Sequence, residues 1–191
     1  MENNKEISLI FQLDYLPSGA HYNNLRYLFN QKVWQVIVAN VRECKQYTCE
    51  FCKRKFDYNN ANSLKYLHCH ELWSFDYAKR WQVLKGLLLL CNNCHSCQHI
   101  NFATLQNRFE KTKQHFLKVN RITNTEFNYL KNNELLFRKN YLDKQTITRE
   151  MLDSVESWLF KIDCDLNQVF VNKTNAQKLQ EFLERISSFN S

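Results

Sequence analysis

Two Cys-x-x-Cys pairs constrain the fold of this chain more than any other feature of its sequence. Cys49 and Cys52 form the first pair, and Cys91 and Cys94 form the second. A turn of this spacing brings two thiolates onto one cation at about 2.3 Å from each sulfur, and two such turns complete the tetrahedral shell that Zn²⁺ prefers. Because four protein ligands close that shell, we expect a structural zinc.

Eight cysteines could also belong to a disulfide framework, but the sequence argues against one. The N-terminal stretch MENNKEISL has no apolar signal segment, and the paired spacing is typical of metal knuckles. We therefore expect a reducing, intracellular and cytoplasmic setting. The other four cysteines have no paired spacing and are expected to be small buried or partly buried thiols: Cys44, Cys69, Cys97 and Cys164.

Composition and charge exclude several functional classes. Only two glycines and one proline occur in 191 residues, which excludes glycine-cradled phosphate motifs and a flexible linker. The most apolar run, residues 87–90, is too short to span a bilayer, so no membrane role is predicted. The excess of 26 basic over 19 acidic residues gives a net charge of +7, which is compatible with a polyanionic partner. The sequence carries no signal for an oligomeric state.

Hydrophobic periodicity predicts a mainly helical α+β chain with a small strand–strand–helix core. We expect a helix to about Lys45 with Asn30 as its N-cap, a strand over residues 63–73, and a helix that continues from the second cysteine pair. Residues 81–90 are a second strand candidate, with a buried helical turn as the alternative. Gly86 within the second strand suggests a bulge or a close backbone approach. The predicted parts are an N-terminal arm and helix (1–46), a zinc-ribbon core (47–104) and a helical extension (105–191), as one compact unit.

The helical extension is predicted from spaced apolar residues and capping signals. Leu105, Phe109 and Phe116 fall near one face of a first helix. A second helix begins after Thr123, with Glu126 three residues later completing a capping box. A short helix near residues 151–158, an irregular stretch and a terminal helix are expected to follow. The second helix carries its apolar residues at Phe127, Leu130, Phe137 and Tyr141.

Histidines next to the second cysteine pair suggest a second metal. His95 and His99 are four residues apart, so a helix would put both imidazoles on one face. If residues 63–73 form a strand, His68 and His70 share one face, and Glu71 lies on the other. His70, His95 and His99 form a cluster only if the fold brings the strand and the helix together. Such a cluster would hold a metal with open positions for chemistry.

These residues form a pattern that resembles the HNH endonuclease superfamily. The pattern is C-x-x-C, a strand ending in His-Glu, and an apolar run into C-x-x-C-H-x-x-x-H. The likeness extends to a group of uncharacterised bacterial HNH-like proteins and covers roughly residues 10–165. It is carried by the arm FQLDYLPSGAHYNNLR, Trp34, HELWSFD with LCNNCHSCQH, and HFLKVNRIT.

The resemblance implies a ββα-metal core supported by a four-cysteine zinc ribbon, and a one-metal phosphodiesterase acting on DNA, with RNA as an alternative. It implies that His70, His95 and His99 hold a catalytic Mg²⁺, Mn²⁺ or Zn²⁺. Glu71 falls where the family usually has its general-base histidine. The catalytic residues implied are therefore His70, Glu71 and His95.

Two positions depart from the family pattern. Because Glu71 replaces the usual base histidine, His70 or His68 is an alternative base, with Glu71 as a ligand or an orienting group. Gly86 stands where many HNH enzymes have the asparagine that braces the loop before the catalytic strand. Both departures favour a second reading, a zinc-ribbon module that binds nucleic acid or protein without catalysis. A third reading is a structural subunit of a larger complex.

Basic side chains near the cysteine pairs and in the helical extension suggest a path for nucleic acid. For any one of them, an ordinary solvated surface charge is the alternative. On the first cysteine pair these residues are Lys53, Arg54 and Lys55, and in the extension they are Arg108, Lys111, Lys118 and Arg121.

Overall fold

The computed structural model describes residues 24–28, 31–133 and 159–164, with Leu9, Ala20 and Glu184 as single positions. The described chain divides by its internal contacts into two units. The strand unit contains residues 24–92 and 159–164, and the helical unit contains residues 93–133.

The described elements make this an α+β protein with a small mixed sheet, which agrees with the predicted class. Residues 124–133 are helical in addition to the elements with defined ends. In chain order, those elements are α1 (Leu25–Leu28), α2 (Gln31–Cys44), α3 (Ala61–Leu64), β1 (Leu67–Asp76), β2 (Trp81–Cys91), α4 (Asn92–Gln98), α5 (Ile100–Leu105), α6 (Phe109–Asn120) and β3 (Leu159–Ile162).

The strand unit is built on a three-stranded sheet of order β1-β2-β3. β1 and β2 form an antiparallel hairpin whose register runs from Leu67 opposite Cys91 to Asp76 opposite Trp81. β2 is the central strand, which explains its leucine-rich sequence, since most of its side chains are buried. β3 pairs in parallel with the first four residues of β2. The irregular stretch predicted in this part of the chain is therefore wrong for residues 159–162.

Helix α2 packs on the sheet through its apolar face and reaches the first cysteine pair. Ile37 and Val41, four residues apart, are its buried side chains. The helix spans Gln31–Cys44, close to the predicted range; Asn30, its expected cap, lies outside the described residues.

The hairpin confirms one expectation about Gly86 and contradicts the other. Leu72 pairs with Gly86 whereas Trp73 pairs with Leu84, so Lys85 is an extra residue and β2 bulges there. A Cβ atom added at Gly86 would meet no atom of the described residues within 4 Å. The prediction of a close backbone approach at Gly86 is therefore wrong.

The first strand begins later than predicted. Residues 61–64 form the short helix α3, which Asn60 starts by accepting a hydrogen bond from the Ser63 N–H. β1 then begins at Leu67 and continues to Asp76. The alternating pattern of apolar and polar residues does correspond to a strand from Leu67 onward. The earlier residues are helical because Asn60 caps α3.

The helical unit has its core between α6 and the helical residues 124–133. Phe116 and Phe127 are fully buried, with ring centroids 5.5 Å apart in an edge-to-face arrangement. The capping box is confirmed, because the Glu126 carboxylate accepts hydrogen bonds from Thr123 and the Glu126 N–H donates to the Thr123 hydroxyl.

One helix prediction in this unit is wrong. Leu105 does not share a helix with Phe109 and Phe116, because α5 ends at Leu105 and Asn107 adopts a left-handed conformation with φ of 55°. Leu105 is consequently 82% exposed. Asparagine tolerates this conformation better than most residues, and it marks the turn between α5 and α6.

Several predicted elements fall outside the described residues. They are the arm over residues 1–22 apart from Leu9 and Ala20, Phe137, Tyr141, the helix near residues 151–158 and all but Glu184 of the terminal helix. The predicted domain boundaries stay a prediction. In residues 24–28, 31–133 and 159–164, none of the helices has the length and apolarity needed to cross a membrane.

Arg42 connects α2 to the beginning of β1. Its guanidinium donates hydrogen bonds to the carbonyls of Leu64 and Leu67 at 2.8 Å. Burial lowers the pKa of this guanidinium below its ordinary value. The two carbonyls lie in the segment that turns from α3 into β1, so one side chain fixes the start of the strand.

We expect Arg42→Ala to lower the free energy of unfolding by about 2–3 kcal/mol, because it removes charged hydrogen bonds from two carbonyls. Urea unfolding would measure the loss. Lys32→Ala, an exposed change on the same helix, is the matched control and should stay within about 0.5 kcal/mol of wild type. Equal stability of the two variants would contradict this role.

Candidate metal centres

The four paired cysteines converge in a geometry that suits a tetrahedral cation. Their sulfur atoms lie 3.6–3.9 Å apart. Four sulfurs at about 2.3 Å from one metal form a tetrahedron with edges of about 3.8 Å, which matches the observed spacing. Three of the four residues are buried, and Cys52 is partly exposed. This cysteine group (Cys49, Cys52, Cys91 and Cys94) could therefore bind a metal such as zinc.

The first cysteine pair lies in a tight hairpin that is held by backbone hydrogen bonds on both sides of the pair. The Cys49 N–H donates to the Arg54 carbonyl at 2.9 Å, and the Lys53 N–H donates to the Cys49 carbonyl at 3.0 Å. Lys53 has a φ of 62°, so the chain reverses in the left-handed region directly after Cys52. A single bridge between Thr48 and Lys55 closes the hairpin.

Glu50, between the first two cysteines, attaches this hairpin to the central strand. Its N–H donates to the Leu89 carbonyl at 2.9 Å, and its carboxylate accepts from the Leu89 N–H at 2.7 Å. Lys45 donates to the other carboxylate oxygen at 2.7 Å. Among the described residues, β3 pairs with residues 81–84 of β2. Glu50 satisfies the backbone N–H and C=O of Leu89, which lies beyond that paired part of the strand. No local pattern in the sequence indicates this role, because Glu50 and Leu89 are 39 residues apart.

The second cysteine pair spans the junction of a strand and a helix. Cys91 ends β2 and Asn92 begins α4, so no residue intervenes between them. The Asn92 N–H donates to the Tyr66 carbonyl at 2.8 Å, which ties the start of the helix to the residue before β1. Cys94 then lies in the first turn of α4.

His115 of α6 is a second residue that the sequence analysis missed. Its Nε2 atom lies 3.2 Å from the Cys94 sulfur, within hydrogen-bond distance. Four thiolates around one Zn²⁺ leave a net negative charge, and an N–H donor to a sulfur partly offsets it. His115 is 21 residues from Cys94 and lies in an ordinary amphipathic pattern, so no local signal identifies it.

Three histidines form a second group of ligand atoms. One nitrogen from each of His70, His95 and His99 lies within 4.8 Å of the others. Three nitrogens bound tetrahedrally at about 2.0–2.1 Å would be about 3.4 Å apart, which lies within that limit. His70 is buried, whereas the other two are partly exposed.

The helix geometry of this histidine group differs slightly from the prediction. α4 ends at Gln98, and His99 occupies the cap position of α5. The His99 N–H still donates to the His95 carbonyl at 3.4 Å, and the two ring centroids are 4.7 Å apart. The spacing of four residues therefore keeps the imidazoles together although the helix breaks between them.

Glu71 has a structural contact that the sequence did not indicate. Its Oε1 atom accepts a hydrogen bond from the Leu25 N–H at 2.7 Å, at the first residue of α1. Burial raises the pKa of the Glu71 carboxyl above its ordinary value, and the Leu25 N–H opposes that rise. Side chains alternate along β1, so Glu71 points away from the face that carries His70, and it is not part of the histidine group.

His68 shares the His70 face of β1 and lies close to two arginines. Burial lowers the pKa of its imidazole, and the charges of Arg26 and Arg42 lower it further. A side-chain hydrogen bond with Asn92 acts in the opposite direction. His68 therefore has a fixed orientation next to the start of α4.

The predicted nucleic-acid residues are exposed in both units. In the strand unit, Arg54 lies over the Phe56 ring at 5.0 Å from its centroid. In the helical unit, Arg108 precedes α6 and Lys111 lies in its first turn. All of the predicted basic side chains are exposed: Lys53, Arg54, Lys55, Arg108, Lys111, Lys118 and Arg121.

The chain was compared with protein-family models, with curated proteins and with solved structures, and none of them matches it.

We expect the purified protein to contain one zinc ion per chain, and Cys91→Ser to lose it. Removing a thiolate opens the shell, so the melting temperature should fall by about 10 °C or more. Inductively coupled plasma mass spectrometry and thermal unfolding would measure both effects. Cys44→Ser is the matched control, since Cys44 lies outside the cysteine group. Equal metal content in the two variants would contradict the assignment.

Proposed function

We propose that this protein is a metal-dependent endonuclease of HNH type that hydrolyses phosphodiester bonds in DNA. The observation that carries the proposal is the convergence of His70 with His95 and His99 beside the cysteine group. The order of β1, β2 and α4, two strands followed by a helix, is compatible with a ββα-metal core. In this proposal the cysteine group holds a structural zinc and the histidine group holds the catalytic metal.

The chemistry follows from the two kinds of ligand. A closed shell of four thiolates has no position for substrate, whereas three imidazoles leave positions open for a phosphate oxygen and water. A Mg²⁺, Mn²⁺ or Zn²⁺ ion bound there would supply positive charge to the scissile phosphate and the leaving oxygen. His70, His95 and His99 would hold and orient that ion.

We assign the general base to His68. Glu71 points to the other face of β1 and holds the α1 N-terminus through Leu25, so it is poorly placed to take a proton at the histidine group. His70 is a ligand in this proposal, and its bound nitrogen is not available as a base. His68 is the remaining imidazole on that face of the strand, and Asn92 orients it.

A second candidate function is a zinc-ribbon module that binds nucleic acid without cleaving it. The observation that favours it is the structural use of Glu71, which accepts the Leu25 N–H at the position where the family usually has its base histidine. Gly86 supports it as well, because it lies beside the β2 bulge where the family has an asparagine. This candidate predicts salt-sensitive binding of DNA with no turnover at any metal concentration.

Nicking of supercoiled plasmid in Mg²⁺ or Mn²⁺ tests the nuclease, and we expect His95→Ala or chelation to abolish it. Outer partners of a metal ligand are worth about 10- to 100-fold, so loss of a ligand should slow cleavage by about 100-fold or more. Asn93→Ala is the matched control, because Asn93 is an exposed neighbour on α4. Cleavage that survives both treatments would remove the proposal.

We expect Glu71→Gln to cleave DNA within about threefold of the wild-type rate, because a glutamine oxygen can still accept the Leu25 N–H; a lost general base would cost about 100-fold or more. Single-turnover cleavage would measure the rate. His68→Gln is the comparison and should show the large loss. A reversed order of the two variants would return the base role to Glu71.

A further inference from the structure

Two strongly exposed tyrosines lie in the segment between the two cysteine pairs. Tyr58 is 65% exposed and Tyr66 is 50% exposed. Aromatic rings of this size usually bury most of their surface, so two exposed rings within nine residues suggest a binding surface. We call residues 53–66 the tyrosine surface.

The tyrosine surface is basic. Four cations, Lys53, Arg54, Lys55 and Lys65, occur with one acid, Asp57, which gives a local charge of +3. The Asp57 carboxylate accepts the Asn59 N–H at 3.0 Å, so it is used within the turn. All four cations belong to exposed or partly exposed residues.

Tyr58 is attached to the first cysteine pair. Its ring packs against Tyr47, with centroids 5.8 Å apart. The Phe56 N–H donates to the Tyr47 carbonyl at 2.9 Å, in the hairpin that contains Cys49 and Cys52. One part of the ring is thus held by the hairpin, and the remainder faces solvent.

Tyr66 is attached to the second cysteine pair. Its carbonyl accepts the Asn92 N–H, directly after Cys91. The Lys65 ammonium lies 5.0 Å from the Tyr66 ring centroid, which places a cation beside an exposed aromatic face. Each tyrosine is therefore held by a segment of the chain that lies next to one of the two cysteine pairs.

We propose that the tyrosine surface binds single-stranded nucleic acid, with Tyr58 and Tyr66 stacking on unpaired bases and the four cations contacting phosphates. Unpaired bases offer the ring faces that a duplex hides within its own stack. Interleaved cations and exposed aromatic rings are the combination that single strands require, whereas a duplex needs cations alone. DNA and RNA share this chemistry.

This inference deepens the proposed function by naming the form of the substrate, a strand with unpaired bases. It rests on that function only for its biological meaning, because binding can be measured without cleavage. A protein that binds single strands and never cleaves them would remove the nuclease and leave the tyrosine surface in place.

Fluorescence anisotropy with labelled dT20, rU20 and a 20-base-pair duplex, without added divalent metal, tests the proposal. We expect the single strands to bind at least about tenfold more tightly than the duplex, and Tyr58→Leu and Tyr66→Leu each to weaken binding about tenfold. The Phe variants should bind like wild type, because phenylalanine also stacks. Comparison of dT20 with rU20 distinguishes the two kinds of strand.

Tyr129→Leu is the matched control, since Tyr129 is 48% exposed but lies in the helical unit. Photo-crosslinking of wild-type protein to 5-iodouracil strands adds a readout that does not depend on variant folding, and crosslinks should map to Tyr58 and Tyr66. Preference for the duplex, equal losses in Tyr129→Leu, or crosslinks confined to other peptides would overturn the proposal.

Discussion

Convergence of four sulfurs on one point is the constraint on which the rest of this structure depends. The cysteine group joins a hairpin, the end of the central strand and the first turn of a helix. A metal ion bound among the four sulfurs would hold these pieces together with four short bonds.

Polar contacts beyond the sulfurs hold the same arrangement. Glu50 fastens the first hairpin to Leu89 of β2, and His115 approaches the Cys94 sulfur from α6. Arg42 fixes the chain at the entry to β1, and Glu71 fixes α1 against that strand. These contacts give Glu50, Arg42 and Glu71 structural roles.

Local signals in the sequence predicted the parts of the fold that depend on neighbouring residues. The cysteine pairs, the strand–strand–helix order and the Thr123–Glu126 capping box follow from spacing over a few positions. The contacts of Glu50, His115 and Glu71 join residues 39, 21 and 46 positions apart, and nothing in the local pattern specifies such partners. β3 pairs with β2 across a still longer separation, and Leu105 was assigned to a helix because its periodicity continues through a turn. Glu71 shows the limit most clearly, since its role was decided by Leu25, a residue remote in sequence.

We propose that the cysteine group holds a structural zinc and that the histidine group holds a different, catalytic metal. Anomalous diffraction from crystals soaked in Mn²⁺, recorded at the zinc and manganese edges, tests it most directly. We expect a zinc peak among the sulfurs of Cys49, Cys52, Cys91 and Cys94, and a manganese peak between His70, His95 and His99. An absence of zinc from the sulfurs, or manganese that avoids the histidines, would contradict it.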